Sequence, residues 1–103
     1  MSKMYLGQIP SLADGWEKIG ECLDDDRVKW LVFKKPQEHS DEWMTYKVVA
    51  DGRAINKANY WLARNDATGQ IGFARDYAFM SEKRPKLREE VDQIIEKNSY
   101  VEI

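Results

Sequence analysis

Two runs of β-branched and aromatic residues constrain this 103-residue chain more than any other feature of its sequence. Residues 28–33 form the first run, which ends before Pro36, and residues 43–50 form the second. Such side chains favour strands, and proline is poorly tolerated inside one. Shorter runs of the same kind follow at 58–64 and 70–74. The sequence therefore predicts a four-stranded antiparallel meander.

The connection between the second and third predicted strands decides which side chains share a face of the sheet. A two-residue turn at Asp51-Gly52 would put polar side chains of the third strand on the apolar face of the second. Lengthening the connection by an odd number of residues exchanges the third strand's faces, so we expect a longer loop through 53–56. One face then carries Met44, Tyr46, Val48, Ala58, Tyr60 and Leu62. The other face carries Trp43, Thr45, Lys47, Lys57, Asn59 and Trp61.

The fourth predicted strand has two registers between which the sequence does not choose. In the first register, Gly72 lies opposite Trp61, whose ring covers the bare backbone. In the second register, Ile71 and Phe73 lie beside Trp61 and make that face apolar as well. The composition of the face around Trp61 depends on this register.

Residues 11–25 are predicted to form an N-terminal helix. Ser11 is a good N-cap, and Asp14 follows at the spacing of a capping box. The apolar stripe consists of Leu12, Trp16, Ile19 and Leu23. Gly15 and Gly20 each cost about 0.8–1 kcal/mol relative to alanine in a helix, so this helix would depend on docking against the sheet.

A second helix is predicted near the C-terminus. A short helical turn is expected at 76–80, and Pro85 then suits the first turn of a helix that runs to Lys97. The apolar stripe of this helix consists of Leu87, Val91, Ile94 and Ile95. The tail at 100–103 is apolar enough to dock or to add a strand. The predicted fold is α+β, a single domain over 1–103 with an N-terminal helix, a four-stranded antiparallel meander and a C-terminal helix packed on the sheet.

The composition excludes several classes of protein. Apolar residues make up 43% and aromatic residues 12% of the chain, which is too many for a disordered protein despite 33% charged residues. No apolar run has the length of a membrane span, and the single cysteine excludes an internal disulfide. We therefore expect a cytoplasmic protein.

The net charge of −2 is distributed unevenly along the chain. Two basic and six acidic side chains in 1–26 give −4, nine and five in 27–75 give +4, and five and seven in 76–103 give −2. The acidic total argues against a non-specific DNA coat, which depends on summed phosphate neutralisation. A local basic face in the middle segment remains compatible with it.

Candidates for chemistry are few. His39 is the only histidine, Cys22 is the only cysteine, and nothing in the sequence places them together. The acidic stretches at 24–26 and 38–42 lack the spacing of a calcium loop, and the scattered glycines do not form a phosphate-binding loop. The sequence predicts no catalytic residue, no metal site and no cofactor.

A basic group surrounds Pro85, the first residue of the predicted second helix. Its members and nearby cations are Arg64, Arg75, Lys83, Arg84, Lys86 and Arg88. An acidic partner or a phosphate would relieve their repulsion. Neutralisation within the chain is the favoured explanation, with Arg88 and Asp92 at the spacing of a helical ion pair.

The strongest candidate binding site is the polar face of the predicted sheet. Its proposed partner-binding residues are Trp43, Lys47, Lys57, Asn59 and Trp61. Tryptophans supply rigid contact area and lysines attract anions, as in sites that stack unpaired bases or anchor another protein. The competing interpretation packs the N-terminal helix across this face and makes the tryptophans part of the core.

These observations predict a small non-catalytic intracellular binding module. It would act as an adaptor or inhibitor that docks another protein through the aromatic/basic sheet face or an acidic helix. The alternative is a single-stranded nucleic-acid-binding protein that uses Trp43, Trp61, Lys47 and Lys57. Self-association into a homodimer through an edge strand or the C-terminal tail is a third hypothesis, and no membrane partner is expected.

Overall fold

The sheet of this protein has one strand more than the sequence predicts. The computed structural model describes residues 15–38, 42–53 and 57–98. They form a five-stranded antiparallel sheet in the order β1-β2-β3-β4-β5, followed by two helices. The elements are β1 (Glu17–Leu23), β2 (Lys29–Pro36), β3 (Trp43–Ala50), β4 (Tyr60–Asn65), β5 (Ile71–Arg75), α1 (Tyr77–Lys83) and α2 (Pro85–Lys97). The α+β class is confirmed.

The N-terminal helix predicted over 11–25 is wrong. Residues 17–23 form β1, which pairs antiparallel with β2 and places Glu21 opposite Leu31. Residues 11–14, with the predicted N-cap, lie outside the described residues. The acidic side chains of residues 17–23 therefore belong to a strand of the sheet.

Strand β1 packs closely against α2. A Cβ atom on Gly20 would lie 2.8 Å from Cγ2 of Ile94, so a side chain at this position would force Ile94 to shift. The predicted apolar stripe is also divided between different surroundings. Ile19 packs against the core under the helices, Trp16 packs on the opposite side of the sheet, and Leu23 is exposed.

The pairing of β3 with β4 has the register that the sequence predicts. Tyr46 lies opposite Leu62, and Lys47 lies opposite Trp61. The connection between these strands is consequently longer than a two-residue hairpin. The central part of the predicted loop, at 54–56, lies outside the described residues.

The two helices follow the predicted positions closely. Helix α2 begins at Pro85 and ends at Lys97, as predicted, and buries Leu87, Val91 and Ile95. The predicted turn at 76–80 is the start of α1, which buries Tyr77 and Met80. The apolar tail at 100–103 lies outside the part of the chain that the structure describes.

Both helices lie on one face of the sheet, and each face has its own apolar cluster. The cluster under the helices includes Trp30, Val32, Tyr46, Val48, Leu62, Leu87 and Val91. The cluster on the opposite face consists of Leu31, Phe33, Val49 and Ala58, with Trp16 packed against it. Strand β2 contributes to both clusters, which explains its continuous run of buried residues. Neither α1 nor α2 has the length and apolarity that a membrane span requires.

Candidate binding surface

The sheet face opposite the helices carries an open depression of about 740 Å³, called here the first depression. It is lined by Trp16, Lys35, Pro36, Gln37, Glu38, Thr45, Lys47, Trp61 and Arg75. The N-terminal helix that was predicted to cover this face does not exist over 17–23. Trp61 on this face is half-buried, whereas Phe33 and Val49 on the same face are fully buried.

Strand pairing builds the centre of the first depression as a row of side chains across three strands. Lys47 of β3 lies opposite Trp61 of β4, and Trp61 lies opposite Arg75 of β5. Residues directly opposite each other in a sheet project to the same face. The register alone thus places a large aromatic ring between two cationic side chains.

The first depression has an excess of positive charge. Nζ of Lys47 lies 5.2 Å, and Nζ of Lys35 lies 5.6 Å, from the centroid of the Trp16 ring, which favours both cations electrostatically. Partial burial lowers the pKa of Lys47, and repulsion from Lys35 and Arg75 lowers it further. Among the lining residues that the structure describes, Glu38 is the one carboxylate beside three cationic side chains. A bound anion would offset this repulsion.

An aromatic pair adjoins the row of side chains. The ring centroids of Trp61 and Phe73 are 4.7 Å apart at an interplanar angle of 44°, and Phe73 is 51% exposed. Of the two registers that the sequence left open, the structure has the one that brings Phe73 beside Trp61. Ile71, however, lies opposite Arg64 because the pairing shifts between Ala63 and Arg64.

The ring of Trp43 packs on β5 at Gly72. A Cβ atom on Gly72 would lie 2.8 Å from Cζ3 of Trp43, so this ring, and not that of Trp61, covers the glycine backbone. Trp43 lies opposite Asn65 at the start of β3 and is half-buried. Its contact holds β5 against the sheet, and it does not line the first depression.

Lys57 and Asn59 lie in a neighbouring depression of about 360 Å³, called here the second depression. It is lined by Arg53, Lys57, Ala58, Asn59, Arg75 and Asp76. Arg75 lines both depressions, so the two are adjacent. The structure thus places Lys47 and Trp61 in the first depression, and Lys57 and Asn59 in the second. We call the two depressions together with Phe73 the aromatic/basic surface.

Sequence reasoning missed several residues of this surface. Trp16 was assigned to the stripe of a helix, and Arg75 was grouped with the cations around Pro85. Lys35 follows the predicted end of the first strand and carried no signal of its own. Fixing the register of β5 would have identified Phe73 and Arg75 together, since both follow from the pairing with β4.

The basic group around Pro85 does not form a site. Arg64 is buried, Arg84 pairs with Asp24 at 3.1 Å, and Arg88 pairs with Asp92 at 3.0 Å. Arg64 pairs with Asp66 at 2.8 Å, and Lys86 lies 3.8 Å from Asp25, so these four cations have carboxylate partners within the chain, as the sequence favoured. Arg75 instead lies on the aromatic/basic surface.

The side chains considered for catalysis or metal binding have other surroundings. Cys22 is partly buried, and this burial, with smaller contributions from nearby carboxylates, raises its pKa to about 11. Its sulfur is therefore a protonated thiol at neutral pH, whereas the thiolate is the nucleophile and metal ligand. His39 lies outside the described residues. Within 15–38, 42–53 and 57–98 there is no group of three side chains suited to a metal ion.

Asp24, the first residue of the acidic stretch, has a structural role. Its carboxylate accepts hydrogen bonds from the backbone N–H groups of Asp26 and Val28 and from Nε1 of Trp30 at 2.9 Å. These bonds, led by that of Trp30, lower its pKa, and Arg84 acts in the same direction. The carboxylate organises the turn between β1 and β2.

The fold and the surface together define an α+β domain with a five-stranded antiparallel meander, two helices on one face and an aromatic, cationic surface on the other. Comparisons with protein-family models, with curated proteins and with solved structures found no match. The geometry of the surface therefore carries the functional argument.

Proposed function

We propose that this protein is a non-catalytic binding module that holds an anionic macromolecular partner on the aromatic/basic surface. The observation that carries the proposal is the convergence of Lys35, Lys47 and Arg75 on one depression that contains Trp16 and Trp61. Like charges placed together in a partly desolvated site favour an anion, and aromatic rings add contact area at low entropic cost. An adaptor for an acidic protein and a single-strand-binding protein both belong to this class.

Binding of two polyanions tests this function. Intrinsic tryptophan fluorescence would be followed while polyglutamate, and separately oligothymidylate, is added at low and at high salt. We expect saturable binding of at least one polyanion that weakens with salt, because the attraction is electrostatic.

Charge-reversal variants assign the binding to the surface. Lys47→Glu with Arg75→Glu should abolish binding, whereas Lys83→Glu with Lys97→Glu makes the same change of net charge on the helices and should retain it. Binding that survives Lys47→Glu with Arg75→Glu would contradict the proposal. Absence of binding to both polyanions at low salt would also contradict it.

A further inference from the structure

The two depressions form one path across the sheet. Arg75 lines both, so the cations Lys35 and Lys47 on one side continue into Arg53 and Lys57 on the other. All five cations belong to the segment 27–75, which has a net charge of +4. Such a path suits an extended polyanion better than a single anionic group, because several phosphates can be neutralised along it.

The aromatic pair lies beside the junction of this path. Trp61 lies opposite Arg75, and Phe73 precedes Arg75 by two residues on β5, so the three side chains project to the same face. Half of the Phe73 side chain is open to solvent. A polyanion of carboxylates has no aromatic face that could stack on such a ring, whereas each base of a single strand has one.

We infer, on the basis of the proposed function, that the anionic partner is a single-stranded nucleic acid. Its backbone runs from the first depression past Arg75 into the second depression, and an unpaired base stacks on the exposed ring of Phe73 beside Trp61. Paired bases are stacked within a duplex and do not present their faces to an aromatic side chain. The surface therefore selects single strands over duplexes and is tolerant of sequence.

The salt dependence of oligothymidylate binding tests the path. With an oligomer of about 12 nucleotides, within the range that a small single-strand-binding fold covers, all five cations can be engaged. The logarithm of the affinity should then fall with the logarithm of the salt concentration with a slope of about −3.5, since each phosphate contact contributes about −0.7. Removing the two cations of the second depression with Arg53→Gln and Lys57→Gln should change the slope to about −2.1.

Matched variants separate the path from the total charge. Lys83→Gln with Lys97→Gln removes the same charge from the helices and should leave the slope unchanged. An unchanged slope in Arg53→Gln with Lys57→Gln would overturn the path through the second depression. Because both of these residues are exposed, urea unfolding should show that the variant retains its stability.

A stacking variant and a second polyanion test the identity of the partner. Phe73→Ala should weaken oligothymidylate binding roughly five- to 150-fold, the range for loss of one stacked base, and should leave polyglutamate binding unaffected. Binding of polyglutamate without binding of oligothymidylate would overturn this inference and leave the proposed function standing. Equal affinity for single-stranded and duplex oligomers would overturn it as well.

Discussion

Replacement of Asp66 by asparagine should destabilise this protein more than any exposed charge change. Asp66 is fully buried, and its carboxylate lies 2.8 Å from Nη1 of Arg64 and 3.0 Å from Nζ of Lys34. The hydroxyl of Tyr46 donates to the same carboxylate at 2.7 Å. Both cationic side chains are at most 8% exposed. Asp66→Asn therefore removes the buried carboxylate that both cations share, although Arg64 also pairs with Glu96 at 2.9 Å.

The expected loss is about 3–5 kcal/mol, the usual cost of breaking a buried ion pair by removing one partner. A chain of 103 residues has an unfolding entropy of roughly 0.2 kcal/mol/K, at about 2.1 cal/mol/K per residue. The melting temperature of Asp66→Asn should consequently fall by about 14–23 °C. Differential scanning calorimetry and urea denaturation would measure this loss.

Two companion variants test whether the buried charge of Asp66 causes the loss of stability. Lys34→Met combined with Asp66→Asn removes a charge of each sign and should recover a large part of the stability, because a buried pair replaced as a whole costs little. Glu21→Gln removes a carboxylate paired with Lys18, where both side chains are about 40% exposed, and should cost far less than Asp66→Asn. A double variant no more stable than Asp66→Asn, or an Asp66→Asn effect as small as that of Glu21→Gln, would refute the argument.

Two further predictions concern single contacts. Because the fold lowers the pKa of Asp24, chiefly through the Trp30 hydrogen bond, its contribution to stability is present above the unfolded carboxyl pKa and is lost as the pH falls through the folded pKa. Asp24→Asn should therefore lower the melting temperature at pH 7 with a difference that shrinks below about pH 4, and a difference independent of pH would contradict this. Gly72→Ala should lower the free energy of unfolding by about 1–3 kcal/mol, because its Cβ meets the Trp43 ring. Trp43→Phe removes the clashing ring atoms, so urea denaturation of the double variant should show a smaller loss than the sum of the two single losses. Additive losses would contradict this contact.

Local sequence patterns predicted the elements whose signals are local. The run at 43–50 gave β3 with the observed bounds, and Pro85 together with the apolar spacing gave α2 with the observed bounds. The register of β3 with β4 was also predictable, because a slip by one residue would have moved a whole apolar set to the other face.

The N-terminal segment was mispredicted because its pattern is ambiguous. Trp16, Ile19 and Leu23 have the spacing of an apolar helical stripe. A run this short is equally compatible with a strand. In the structure, Gly20 of β1 packs against Ile94 of α2, a residue far from it in the sequence. The local sequence pattern carries no information about that contact.

Only part of the candidate surface could be predicted from local sequence patterns. Lys47 and Trp61 follow from alternation on β3 and β4, which the apolar face determines. The position of Arg75 depends on the irregular pairing between Ala63 and Arg64, which shifts β5 relative to β4. Because such a shift has no clear signature in the sequence, Phe73 and Arg75 could not be assigned to the surface in advance.

The register of β3 and β4 joins the stability of this protein to its proposed function. The connection that places Tyr46 and Leu62 together under the helices also places Lys47 and Trp61 together on the open face. Successive side chains alternate between the two faces of a strand. A slip in register that moved the apolar side chains off the core face would therefore also move Lys47 and Trp61 off the opposite face. The apolar core thus fixes the positions of the binding residues on β3 and β4, and the surface needs no buried contacts of its own to hold the lysine and the tryptophan side by side.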